Sequence, residues 1–206
     1  MKVFFIPAKA KTDIKQAITS LDLNKMKGKI GLVTTIQYLH QVKNLDIPNS
    51  IFIGQILGCN TSKAEKLASQ VDCFLYIGSG EFHPLEVLLK IGKPTFTLNP
   101  ETNQFSQLDP KILEISEKKL KGKLIKFYSA ETIGILVTKK PLQKDLISAL
   151  KLKKQLNKKS YIFFFDNLNE LDLENFPNID FWVNTACPRI ESKNIINISS
   201  IPEFDE

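Results

Sequence analysis

Cysteine and histidine are scarce in this sequence: three of the one and two of the other among 206 residues. The cysteines, at positions 59, 73 and 187, show no short repeated spacing. That excludes a disulfide framework of the kind small secreted domains carry and favours a reducing compartment. Long apolar runs are also missing. Phe4, Phe5 and Ile6 are too short a run for a signal peptide or a membrane span. The expectation is a soluble, cytoplasmic protein with no membrane partner. There is no Walker-type phosphate loop, and Gly78-Ser79-Gly80 lacks the third glycine of the dinucleotide fingerprint. Lysine carries most of the net charge of +6. The cluster Lys151, Lys153, Lys154, Lys158 and Lys159 has no interleaved aromatics, and Leu152 and Leu156 keep an apolar helical face through it. It reads as a solvated helix surface, so no direct nucleic-acid contact is expected.

What is present is an ordinary globular composition, 43% hydrophobic and 24% charged, long enough for one large or two small domains. Short apolar segments rich in β-formers alternate with helical patterns. Strands are predicted at 1–7, 29–35, 50–55, 71–77 and 93–98, with helices near 13–21, 37–42, 61–68 and 85–89. A lysine-rich amphipathic helix follows over 110–128. The alternation then restarts, with strands at 132–138, 160–165 and 180–184, an edge strand at 195–199, and helices at 143–156 and 168–176. This rhythm predicts βαβ units and parallel sheets. We expect an α/β lobe over 1–109, a linking helix over 110–130 and a second α/β lobe over 131–206. The two lobes share a fold-level pattern without a residue-level repeat.

The stretch Ile179–Ile190, IDFWVNTACPRI, begins as a buried strand and breaks into Asn184-Thr185-Ala186-Cys187-Pro188. Proline cannot continue a ladder, so Cys187 falls at the carboxyl end of a strand, where open α/β sheets bind ligands. A small buried apolar thiol is the alternative, and local features do not separate the two. Cys59 shares the context of Cys187, just past a strand and beside a glycine. Cys73 lies inside the apolar run VDCFLYI and reads as a core thiol. Two strand-end thiols from different lobes, if they meet, suit a metal or an iron–sulfur cluster better than a structural disulfide. His83 occupies a strand-to-helix turn and is either a cleft residue or a hydrogen-bonded turn histidine.

The segments LVTTIQ (Leu32–Gln37), GQILGCN (Gly54–Asn60), YIGSGEFHP (Tyr76–Pro84), GILVTKKPLQ (Gly134–Gln143) and VNTACPRI (Val183–Ile190) occur in a telling order. They resemble, over nearly the whole chain, the radical subunit family of diphthamide synthase. The resemblance implies Rossmann-like parallel-sheet lobes, equivalent to two of that family's three repeated domains. Each family domain gives one cysteine to a [4Fe–4S] cluster, whose fourth iron binds S-adenosylmethionine. The enzyme moves a 3-amino-3-carboxypropyl group from S-adenosylmethionine to a histidine of the translation elongation factor, the first step of diphthamide synthesis.

By this resemblance Cys59 and Cys187 are cluster ligands and Cys73 is not. The first-domain ligand has no counterpart, which implies a separate chain supplying that domain and the third cysteine. Gln37, Gln55, Gly78, Ser79, Gly80, His83 and Arg189 are the implied cofactor-binding residues. Among these, the amides of Gly78–Gly80 and the guanidinium of Arg189 suit the methionine carboxylate. No catalytic residue is assigned. Other readings are a non-catalytic subunit supporting an active partner, a quinolinate synthase-like dehydratase, and a small-molecule-binding α/β module without a cluster.

Overall fold

A computed structural model describes residues 4, 6–58, 60–140, 143–190 and 192–202. The chain divides into two compact units, Met1–Glu114 and Ile115–Glu206. Both are α/β, and among the described residues no helix is long and apolar enough to cross a membrane.

In the first unit the strands are β1 (Ile30–Thr34), β2 (Ser50–Gln55), β3 (Cys73–Ile77), β4 (Thr95–Asn99) and β5 (Gln104–Gln107). Their order is β2-β1-β3-β4-β5. The first four are mutually parallel and β5 is antiparallel to β4. The helices are α1 (Lys15–Ile18), α2 (Leu39–Val42), α3 (Ser62–Lys66) and α4 (Phe82–Ile91). Every residue of β1 and β3 is buried. That is why IGLVT and CFLYI read as unbroken apolar runs: parallel strands covered on both faces have no polar side to show. Successive residues alternate between two cores. Cys73, Leu75 and Ile77 join Ile14, Ala17, Tyr38 and Val42 on one face, while Phe74 and Tyr76 join Ala64 and Val87 on the other.

Three details depart from the sequence reading. Of the strand predicted at 1–7, residues 1–3 and 5 lie outside the described residues, and Phe4 and Ile6 are 85% and 90% exposed with no strand assigned. Neither Phe4 nor Ile6 finds a strand partner among the described residues. Helix α4 begins at Phe82, ahead of Pro84. A proline in the first turn removes only an N–H that has no helical partner there, so it did not mark the boundary. Strand β5 has no counterpart among the predicted strands. Its sequence QFSQ buries little; Phe105 stacks on Phe96 at 5.8 Å, and the Ser106 and Thr97 hydroxyls share a hydrogen bond at 2.8 Å.

The second unit holds β6 (Thr132–Thr138), β7 (Lys159–Phe165), β8 (Phe181–Asn184) and β9 (Ile195–Asn197), all parallel in the order β7-β6-β8-β9. Helix α5 (Lys111–Ser129) spans the division of the chain, and α6 (Leu146–Gln155) starts at Asp145, whose Oδ1 accepts from the Ser148 amide at 3.0 Å. One face of the sheet packs Ile133, Ile135, Val137, Phe181 and Val183 against Phe127, Ala149 and Leu152. The other is aromatic. Phe163 meets Trp182 and Phe176 edge-on, each at 4.8 Å between ring centroids. A 3₁₀ turn, Glu170–Asn175, lies on this side where a helix was predicted. Lys158 is not a free surface charge: its Nζ donates to the carbonyls of Phe127 and Tyr128 at 3.0 and 2.6 Å, capping the end of α5.

The two units do repeat at residue level. Gly31 pairs with Phe74 across β1 and β3, and Gly134 pairs with Trp182 across β6 and β8. At Gly134 a Cβ would strike the Trp182 ring at 2.3 Å; at Gly31 it would strike Ile53 Cδ1 at 2.6 Å and press on the Phe74 ring at 3.1 Å. Just ahead of each aromatic strand stands an aspartate. Asp72 Oδ2 accepts from the Lys29 amide at 2.6 Å, and Asp180 Oδ2 accepts from the Thr132 amide at 2.8 Å. The return bonds, Asp72 N to Lys29 O and Asp180 N to Thr132 O, match as well. Identities are few, namely Ile-Gly, the aspartate, Thr35 with Thr138 and Ser50 with Ser160, and they are dispersed over strands far apart in sequence. Strand register is needed to line them up.

Candidate functional site

Each sheet reverses its strand order beside its first strand. The reversal lies between β1 and β3 in the first unit and between β6 and β8 in the second. Loops leaving the carboxyl ends of such a pair splay apart and leave a crevice. In the first unit those loops carry Thr35–Tyr38 and Gly78–Gly80; in the second the loop after β8 carries Cys187.

The loop after β3 is built around Tyr76. Its ring is fully buried, and its hydroxyl donates to the Ser79 carbonyl at 3.2 Å. Gly78 is glycine because a Cβ there would stand 2.5 Å from that hydroxyl oxygen. Gly80 has φ +74°, a left-handed turn that opens the loop into α4. The Gly78 amide donates to Leu98 O at 3.0 Å, so it belongs to the sheet and is not directed at a ligand. His83, half-buried in the first turn of α4, stacks on Tyr76 at 5.9 Å with the ring planes 8° apart. Burial pushes the Tyr76 phenol up to about 12, a hydrogen bond with Thr35 works the other way, and the neighbouring Tyr38 adds a smaller push upward. Tyr38 donates to Glu101 Oε1 at 3.2 Å, and burial followed by that carboxylate raises its own pKa.

Gln37 is exposed on the loop after β1, and its carbonyl accepts from the Ala10 amide at 3.0 Å. Gln55 ends β2 and lines a cavity of about 140 Å³ with Leu57, Asn60, Ser62 and Lys63. Beside it, Leu57 and Asn60 exchange both backbone hydrogen bonds, and Gly58 packs on the Phe82 ring. Cys59 itself lies outside the described residues. The structure thus gathers Gly78, Ser79, Gly80 and His83 around Tyr76. Gln37 and Gln55 lie on neighbouring loops at the carboxyl edge of the same sheet.

Cys187 is half-buried and free of any disulfide, and Arg189 is exposed two residues on. Polar side chains pin this loop at several points. Thr185 gives both its amide and its hydroxyl to Leu136 O, at 3.1 and 2.9 Å. Asn184, 1% exposed, accepts from the Ala186 amide at 3.0 Å and donates to the Cys187 carbonyl at 2.9 Å. Cys73, by contrast, is 2% exposed, and burial, helped by Asp72, raises its pKa, which disfavours the thiolate a metal needs. Among the described residues, no group of three or more His, Cys, Asp or Glu side chains gathers to hold a metal ion. Sequence reasoning missed Tyr76, Thr35, Asn184 and Asn197. For Tyr76 and Asn184 the sequence signal is the parallel spacing of VDCFLYIGS and IDFWVNTAC, which register alone makes meaningful.

The fold is thus that of an α/β protein of two units, with a glycine loop at the switch point of the first and a strand-end thiol at that of the second. The family model described as "Putative diphthamide synthesis protein" matches residues 1–196, and the chain belongs to that family. It is 31% identical to the 2-(3-amino-3-carboxypropyl)histidine synthase of Pyrococcus horikoshii, over 90% of this chain and 58% of that protein. The protein of the same name from Methanocaldococcus jannaschii is 30% identical, over 92% of this chain and 56% of its own length. A Caenorhabditis elegans protein, 2-(3-amino-3-carboxypropyl)histidine synthase subunit 1, is 26% identical over 79% of this chain. The crystal structure of Dph2 from Pyrococcus horikoshii with a 4Fe–4S cluster superposes with a TM-score of 0.79 and 27% identity, covering 95% of this chain and 63% of that one. The chain therefore spans less than two thirds of the length of these relatives.

Proposed function

We propose that this chain serves the transfer of a 3-amino-3-carboxypropyl group from S-adenosylmethionine to a histidine of the translation elongation factor. Cys59 and Cys187 each donate a thiolate to a [4Fe–4S] cluster. The observation that carries this reading is the half-buried, disulfide-free thiol of Cys187 on a pinned loop at a sheet's switch point, in a fold shared with a protein that holds such a cluster. The donor chemistry fits, because soft thiolates are the ligands iron–sulfur clusters take. When bound, the cluster supplies the electron and the open iron that S-adenosylmethionine cleavage requires. Two thiolates fall short of the three that leave one iron open, and Cys73 is buried in the core. We propose that a partner chain supplies the third ligand.

The chain's own polar groups hold the substrate. Arg189 offers a charge-assisted hydrogen bond to the methionine carboxylate. Ser79 and Gly80 present a polar turn at the first unit's switch point, with Gly78 providing the space. Gln37, Gln55 and His83 contribute neighbouring donors and acceptors. Anaerobic purification with iron and sulfide analysis tests the reading. Cys187→Ser and Cys59→Ser each lose cluster iron, Cys73→Ala keeps it, and labelled group transfer to the elongation factor follows the iron. Iron content indifferent to both serine variants overturns it. A second reading, a non-catalytic subunit, draws on the relatives named as subunits of this synthase. A stable complex that transfers the group with no iron at Cys59 or Cys187 would favour it.

A further inference from the structure

Asn184 ends β8 and spends its amide on the loop beyond and on the end of β9. Its Oδ1 accepts from the Ala186 amide at 3.0 Å. Its Nδ2 donates to the Cys187 carbonyl at 2.9 Å and to Asn197 Oδ1 at 2.7 Å. Asn197, its cross-strand neighbour at the end of β9, passes the chain on by donating Nδ2 to the Pro188 carbonyl at 2.7 Å. The Cys187 carbonyl takes a second bond, from the Ile190 amide at 3.0 Å. The amide before Cys187 and the carbonyls of Cys187 and Pro188 are thus all tied to two asparagine side chains.

A buried asparagine that merely satisfies its loop is the plain alternative, and the first unit argues against it. With Gly31–Phe74 laid on Gly134–Trp182, Tyr76 falls on Asn184 and Ser79 on Cys187. Tyr76 donates to the carbonyl of Ser79, three residues on, as Asn184 donates to that of Cys187. A phenol and an amide share neither size nor shape, yet both reach the same carbonyl. What the two units keep is the tether and not the residue. In each, the tethered residue offers a side-chain heteroatom at a switch point, Ser79 Oγ in one and Cys187 Sγ in the other.

We infer that Asn184, backed by Asn197, is a positioning residue that sets where the Cys187 thiol stands at the carboxyl edge of its sheet. This rests on the reading of Cys187 as a cluster ligand. The test uses the whole protein carrying Asn184→Ala or Asn197→Ala; the latter site is partly exposed, so that variant decides if the former does not fold. In the cluster-free protein, Cys187 should react with iodoacetamide roughly tenfold faster in the variants, with the rate at Cys73 unchanged. In the cluster-loaded protein, the variants should shift or broaden the electron paramagnetic resonance signal and release iron faster. Cys187 rates within about twofold of the parent, together with an unchanged signal, would overturn the inference. So would a parallel rise at Cys73, which marks general loosening. Failure of the cluster reading shows separately, as iron retained in Cys187→Ser, and the alkylation comparison then still decides the tether.

Discussion

At the scale of single residues, Tyr76 and Cys73 show what burial does to a titratable group. The Tyr76 phenol sits near 12 in the folded chain, above its ordinary value of 10.0. A raised pKa means the folded state holds its proton longer than the unfolded chain does. Its contribution is therefore complete below pH 10 and is lost as pH climbs toward 12. The swing is roughly 2–3 kcal/mol for a shift of this size. Denaturant unfolding of the parent should weaken across that window, and Tyr76→Phe should remove this part of the slope; equal slopes would show that the phenol is not shielded. The same variant loses the bond to Ser79 O, costing about 1 kcal/mol near neutral pH. Cys73 belongs to the same logic. With a raised pKa and 2% exposure it should alkylate slowly, and peptide mapping after limited iodoacetamide should find Cys187 modified before Cys73.

At the scale of elements, the aspartates ahead of β3 and β8 fasten the paired strands at their starting ends. Asp180 Oδ2 accepts from the Glu131 and Thr132 amides at 3.1 and 2.8 Å, and Asp72 from Lys29 at 2.6 Å. Replacing either by alanine leaves strand-end amides to water alone. The expected cost is roughly 1–2 kcal/mol, because these amides stay near solvent. Equilibrium urea unfolding checks it, and a loss near zero for both variants would mean that the ladder alone sets the register. Trp182 carries more. It fills the space above Gly134 and meets Phe163 edge-on, so Trp182→Ala should cost about 3–5 kcal/mol. Such elements were legible to different degrees. Strands β1, β3, β6 and β8 were plain because sheets covered on both sides demand unbroken apolar runs. Strand β5 was not, since one half-buried phenylalanine in QFSQ gives no periodicity to read.

At the scale of the whole molecule, each unit has cores of its own, and those of the second unit include Trp182. Hydrogen exchange on Trp182→Ala should therefore show protection lost within 115–202 and kept in β1 and β3. Equal loss in both units would mean that the chain unfolds as one. The family was legible too, because NTACPRI and GSGEFHP are short and stand at strand ends and the start of α4, where residues answer to chemistry more than to packing.

By itself the sequence determined the α/β class, the core role of Cys73 and the two strand-end cysteines as the ones to watch. Each of those follows from local pattern: apolar runs, breakers and what flanks a thiol. Only the tertiary structure decided that Ser79 and Cys187 hold equivalent places, and that Tyr76 and Asn184 tether them. It also committed the Gly78 amide to the sheet and Lys158 to the end of α5. These depend on which residue faces which across a ladder, and strand register is settled by contacts between segments that the sequence keeps far apart.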